Sequence, residues 1–175
     1  MKNRYEIRDE VTVIFCKSPK YGVKEVLIDT SDFELVDSFP NYWRVRRDSK
    51  SQAFYVAGHI YDENGNDHGV LLHRWIMNPE KTMVVDHIDR NTLNNSRKNL
   101  RVLTRAQNRQ NIRAFRHSPT GIRGVYWNKL TNKWEVTVTV DGIKNRIGMF
   151  TDLKEAENAA IEARKKLMPY SHESA

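Results

Sequence analysis

Within one short stretch the chain sets Val84-Val85-Asp86-His87-Ile88-Asp89, then Asn94-Asn95, Asn99-Leu100-Arg101 and Asn108. A carboxylate, an imidazole and several amides at fixed offsets are more chemistry than a folding unit needs. The set fits metal-assisted hydrolysis of a phosphodiester. An ionised carboxylate and an amide oxygen are hard ligands that suit Mg²⁺ or Mn²⁺, and Mg²⁺ keeps most of its waters while accepting phosphate oxygens. A neutral histidine can take a proton from the attacking water, since its ordinary pKa lies near neutral pH. The ion would stabilise charge developing on the phosphate and the leaving oxygen. Zinc fits poorly, because Cys16 is the single cysteine and neither paired CxxC nor HExxH spacing occurs.

The elements that must position these groups are short. Val84-Val85 feeding straight into Asp86-His87 predicts a strand that ends at a reactive edge, and residues 100–103 predict a second strand paired back on it. Thr104 at the N-cap with Gln107 three residues on predicts a capping box, which opens a helix with Asn108 in its first turn. A strand, loop, strand, helix unit of this kind brings Asp86, His87 and Asn108 to one point.

The run from His73-Arg74 through Val85-Asp86-His87-Ile88-Asp89, Asn94-Asn95, Asn99-Leu100-Arg101 and Thr104 to Asn108 resembles the HNH nucleases, in the branch of phage and intron-encoded homing endonucleases. The resemblance implies that Asp86 ligates the divalent metal, His87 is the general base, Asn99 braces the loop and Asn108 completes the metal site. Asn108 stands where the family's name has a third histidine, which argues against zinc or nickel. Taken singly, an Asp-His pair is a capped strand end and asparagine runs are turn formers; the conjunction points to a nuclease site. Asn94 and Asn95 read as loop formers. Asp89 either bonds loop amides or approaches the metal, and His73 is either part of the motif or a packed residue before Trp75 and Ile76. His59, His68, His117 and His172 have no partners at ligand spacing.

With 175 residues, 39% of them hydrophobic, the chain has room for one large or two to three small domains. No segment reaches the apolar length of a membrane span, and the N-terminus has no signal-peptide core behind it. These features and the lone Cys16, which has no disulfide partner within the chain, predict a cytoplasmic protein; the resemblance to phage nucleases implies a bacterial or phage-infected cell and action at the nucleoid. A formal net charge of +7 favours a polyanion, here double-stranded DNA, bound by a monomer or homodimer. Arg90, Arg97, Arg101, Arg105, Arg109, Arg113 and Arg116 flank the site. Arg105, Arg109 and Arg113 recur every four residues, so on a continuing helix they share a face that either tracks a DNA backbone or is a solvated cationic surface.

The domain plan read from these signals is a β-rich region over residues 1–78, a ββα-metal unit over 79–113, a basic linker over 114–120, a three-stranded sheet with one helix over 121–168, and a tail over 169–175. In the last module residues 122–127, 133–140 and 143–150 predict strands, and Asp141-Gly142 predicts a type I′ hairpin turn. Residues 153–167 predict a helix opened by Asp152 and Glu155, with Leu153, Ala156, Ala160, Ala163 and Leu167 facing the sheet. Gly121-Ile122-Arg123-Gly124-Val125-Tyr126-Trp127, Lys133-Trp134-Glu135-Val136 and Ile147-Gly148-Met149-Phe150 resemble the AP2 DNA-binding domain. That resemblance implies DNA contacts from Arg123, Tyr126, Lys133, Thr137, Thr139, Lys144 and Arg146 on the free sheet face, beside Arg101, Arg105, Arg109 and Arg113 nearer the site. Tyr126 and Thr139 depart from the arginines usual there, so no target sequence carries over. In the first region residues 11–15, 25–28, 42–46 and 53–59 predict strands, Asp29 to Asp32 a helix opening, and Asn64-Gly65 a hairpin. Arg44 and Arg46 alternate with Trp43 and Val45, as in a DNA-contacting strand or in any amphipathic one.

The reading is an α+β, site-directed DNA endonuclease of the homing type. The alternative is a non-catalytic DNA-binding regulator whose nuclease site has decayed, and a third is an RNA-directed nuclease or RNA binder.

Overall fold

The computed structural model describes residues 1–49, 51–112, 114 and 118–174. The chain is mixed α+β, built from small antiparallel sheets and a few helices, and it packs as two units, Met1–Leu103 and Thr104–Ala175.

In the first unit β1 (Arg4–Arg8), β2 (Val11–Ser18) and β3 (Gly22–Asp29) form a meander. The middle strand is closed off on both faces: Thr12, Val13, Ile14 and Cys16 are all buried. Burial pushes the Cys16 thiol up to about 12, so it stays protonated. After a 3₁₀ turn at Thr30–Asp32 and the short helix α1 (Phe33–Asp37), the strands β4 (Arg44–Arg47), β5 (Phe54–Tyr61) and β6 (Asp67–Leu71) make a second sheet. Helix α2 (Leu72–Met77) leads to the two-stranded ribbon β7 (Val84–His87) and β8 (Leu100–Leu103).

Leu72, Ile76 and Leu100 share one hydrophobic core with Ile14, Val26, Val36, Phe39, Trp43 and Val56. The β-rich region and the Asp-His ribbon thus bury the same apolar surface within the unit that ends at Leu103. Phe39 stacks on Trp43 at 3.9 Å between ring centroids, and Gly58 lies beneath both. A Cβ at Gly58 would run into the Phe39 ring. Gly58→Ala is accordingly expected to destabilise this unit by about 1–3 kcal/mol through overpacking; a denaturant midpoint equal to that of the wild type would contradict the packing.

The second unit begins with a capping box, in which the Thr104 hydroxyl accepts from the Gln107 N–H and Gln107 Oε1 accepts from the Thr104 N–H. The helix it opens, α3 (Arg105–Asn108), is one turn, continues as a 3₁₀ turn at Arg109–Asn111 and ends where Ile112 turns extended. The stripe expected from Arg105 through Arg109 to Arg113 therefore does not run along a continuous helix, and Arg113, like Arg116 and His117, lies outside the described residues.

Strands β9 (Val125–Asn128), β10 (Lys133–Val140) and β11 (Ile143–Phe150) form a sheet covered by helix α4 (Leu153–Leu167). Ala156 and Ala160 pack against Val125 and Val136, small residues that let helix and sheet approach closely. Asp152 caps α4 by accepting from the Glu155 N–H at 2.9 Å. The first strand starts later than the pattern predicts, because Gly124 holds a left-handed φ of +84° and sets its backbone against Thr137. The residues after α4 do not trail off: Arg164 pairs with Glu173 at 3.0 Å, Ser171 is buried, and Gln107 donates to the Tyr170 hydroxyl at 3.0 Å.

Candidate active site

β7 ends on His87, whose side chain is buried at 4% exposure. Its Nε2 lies 3.2 Å from Oδ1 of Asn95, itself buried. An amide oxygen only accepts, so Nε2 carries the proton and the lone pair sits on Nδ1. Burial is the largest influence on this imidazole and lowers its pKa, outweighing the Asn95 hydrogen bond and the carboxylates of Asp86 and Asp89. His87 is thus neutral at neutral pH, the form a general base needs.

Asn95 was readable in the sequence only as a loop residue. It reaches His87 because the loop is zipped onto β3: Leu27 N–H donates to the Leu93 carbonyl at 2.9 Å, and Asn95 N–H to the Leu27 carbonyl at 2.7 Å. His73 packs edge-on against His87 at 5.0 Å between ring centroids, and Tyr55 lies 6.0 and 6.4 Å from the two rings. Burial, the neighbouring His87 and Arg74 push the His73 pKa down to about 3.

These two imidazoles make stability pH-dependent. Unfolded, each takes a proton below its ordinary value near 6.5; folded, each resists it, and His73 does so to about 3. Their contribution is therefore complete above pH 6.5 and is lost as pH falls toward 3, by a few kcal/mol for His73 at about 1.4 kcal/mol per unit. In His73→Phe the slope of unfolding free energy against pH between 6.5 and 4 is expected to fall by about one proton. An unchanged slope in urea titrations would contradict a neutral, buried His73.

Asp86 sits directly across the ribbon from Arg101. The Arg101 Nε and Nη2 donate to Asp86 Oδ2 at 3.0 and 2.8 Å, with both side chains mostly covered. Arg101, expected to contact DNA, is thus engaged with the proposed metal ligand. Among the described residues no group of three or more His, Cys, Asp or Glu stands together to hold a metal. The donors present do not build a closed cage; a single carboxylate such as Asp86 suits a hard ion that keeps most of its waters and takes phosphate oxygens.

The loop between the strands is braced from within. Asn99 Oδ1 accepts from the Asp89 N–H at 3.0 Å and its Nδ2 donates to the Asn94 carbonyl at 2.8 Å, while Asp89 accepts from the Asn91 N–H and from Asn94 Nδ2. Asp89 therefore bonds loop amides. Arg97 ties the loop to α1's base through Asp32, with its Nη2 2.7 Å from Oδ1 and its Nε 2.9 Å from both oxygens.

In the second unit Asn108 closes α3, half-buried, and its side-chain amide makes no hydrogen bond among the described residues. Arg105 and Arg109 are exposed. On the sheet, Tyr126, Lys133, Thr139, Lys144 and Arg146 are exposed, and Arg146 lies 3.5 Å from Glu135 on the neighbouring strand. Two expected contact residues are placed otherwise. Thr137 is buried at 5% exposure, because the register slips between Val136 and Thr137 and its N–H donates to the Gly124 carbonyl. Arg123 donates to the carbonyls of Arg109, Gln110 and Ile112, closing the end of the 3₁₀ turn.

Residues 70–110, which include the ribbon, its loop and α3, match the HNH endonuclease family, so the chain carries an HNH endonuclease domain in this stretch. Among characterised relatives, Protein 3.8 of Escherichia phage T7 is 36% identical over 62 residues, 35% of this chain and 51% of that protein. The chain thus spans about half the length of the curated relative it matches. No solved structure matches it. No described helix is long and apolar enough to cross a membrane.

Proposed function

We propose that this protein is a site-directed DNA endonuclease of the homing type that hydrolyses a phosphodiester with one divalent metal and a histidine base. The observation that carries the proposal is the His87 environment: a buried, neutral imidazole held by Asn95 at the end of the strand that also presents Asp86, inside the stretch matching HNH endonucleases. His87 Nδ1 takes the proton from water as its oxygen attacks phosphorus, and the bond to the leaving oxygen breaks. Asp86 and, from its place in the motif, Asn108 would hold magnesium or manganese, which would supply Lewis-acid stabilisation of the negative charge on the phosphate and leaving oxygen. Asn99 keeps the loop in shape. Arg101 orients Asp86 and balances its charge.

Recognition is proposed for the AP2-like module, whose exposed Tyr126, Lys133, Thr139, Lys144 and Arg146 present polar and cationic groups to the major groove. Arg123 braces the 3₁₀ turn and Thr137 is buried, so neither is assigned a contact; Arg105 and Arg109 supply phosphate contacts, with Arg113 proposed beside them from sequence alone. The test offers duplex DNA, single-stranded DNA and RNA of one sequence to the full chain with Mg²⁺ or with EDTA. Cleavage of duplex DNA only when Mg²⁺ is present is the expected result. Tight duplex binding without cleavage would instead establish the decayed regulator, and cleavage confined to RNA would move the substrate class.

A further inference from the structure

We propose that β4 is a phosphate clamp, in which Arg44 and Arg46 hold the DNA backbone beside the scissile bond; this rests on the nuclease reading above. In the antiparallel β4–β5 pair Arg46 lies directly opposite Tyr55, and Arg44 opposite Ala57. Residues paired in this way project from the same face of a sheet, with Cβ atoms roughly 5 Å apart. Tyr55 turns that face toward His73 and His87. The two arginines therefore share the sheet face that Tyr55 turns to the catalytic histidine, on a strand some forty positions earlier in the sequence.

Both arginines are exposed, and neither side chain has an ion pair or hydrogen bond among the described residues. Other arginines of this unit are committed: Arg97 to Asp32, Arg101 to Asp86, Arg8 to Glu6 and Arg74 to the Met83 carbonyl. Unpaired guanidinium groups on the catalytic face are complementary to phosphate, which they bind with a planar, two-pronged donor set. The cationic surface continues at the last residue of β4, where Arg47 and, from β3, Lys24 lie over the Phe54 ring at 5.9 and 5.2 Å, again without a carboxylate partner among the described residues. Phe54 in turn accepts a hydrogen bond from Thr92 of the catalytic loop, so the strand and the loop are held together.

The test compares the full chain with Arg44→Gln/Arg46→Gln on a duplex carrying its cleavage site or, failing a known site, on plasmid fragments. Binding is measured without metal across a salt series, and cleavage separately with Mg²⁺. Losing two phosphate contacts should reduce the slope of log K against log salt by about 1.8, and weaken binding at least ~10-fold at low salt. A charge-matched control, Lys154→Gln/Lys165→Gln on α4, should leave the slope within about half a unit of the wild type. An unchanged slope in the β4 variant, or an equal loss in the control, overturns the clamp. Absence of cleavage by the wild type would instead refute the nuclease reading, while the metal-free slopes still decide whether β4 contacts phosphate.

Discussion

His87→Ala is expected to lower the single-turnover rate of metal-dependent cleavage by at least ~10²-fold while leaving duplex affinity nearly unchanged. A general base acts on the proton in flight in the transition state, so its loss removes little from ground-state binding. The buried setting sharpens the expectation, because the imidazole is already neutral and Asn95 fixes which nitrogen carries the lone pair. Asn95→Leu, which keeps the volume but frees the ring, should reduce the rate with a smaller effect on binding than on turnover. Wild-type turnover in purified His87→Ala would remove the histidine from the mechanism.

Asp86→Ala is expected to abolish activity as well, for a different reason and with a second signature. It deletes the proposed metal ligand and strips the Arg101 guanidinium of a mostly covered counter-charge, so the fold should lose about 1–3 kcal/mol together with the metal response. Asn99→Ala separates the two effects. Its side chain bonds the Asp89 N–H and the Asn94 carbonyl, so its loss should lower stability by about 1–3 kcal/mol while the folded fraction keeps its metal requirement. An unchanged melting temperature with an altered metal requirement would place Asn99 in contact with the ion.

What could be read from the sequence is what local physics decides. The strand ending on Asp86-His87, the Thr104–Gln107 box, the left-handed Asp141-Gly142 turn and the start of α4 at Asp152 each follow from residues a few positions apart. The rest depends on partners distant in sequence. β1 alternates Tyr5 and Ile7 with charged residues, but it is exposed at every position and five residues long, so no buried face marks it out. Asn95 becomes the partner of His87 only because Leu27 captures the loop, and Asp32 meets Arg97 across 65 positions. Alternation left Thr137 open on the free face; it is buried there, with its N–H donating to the Gly124 carbonyl. The Asp86–Arg101 pair was within reach, since pairing the two predicted strands sets these residues opposite one another.

The most direct test of the account is the pH dependence of single-turnover, Mg²⁺-dependent duplex cleavage, measured for the wild type and His87→Ala. Because burial lowers the His87 pKa, the wild-type rate should rise along an acidic limb whose midpoint lies below the ordinary histidine value near 6.5, and should then be flat through neutral pH. His87→Ala should show at most ~1% of that rate and lack the limb. A variant that cleaves at the wild-type rate with the same limb would contradict His87 as the base, whatever else cleaves the DNA.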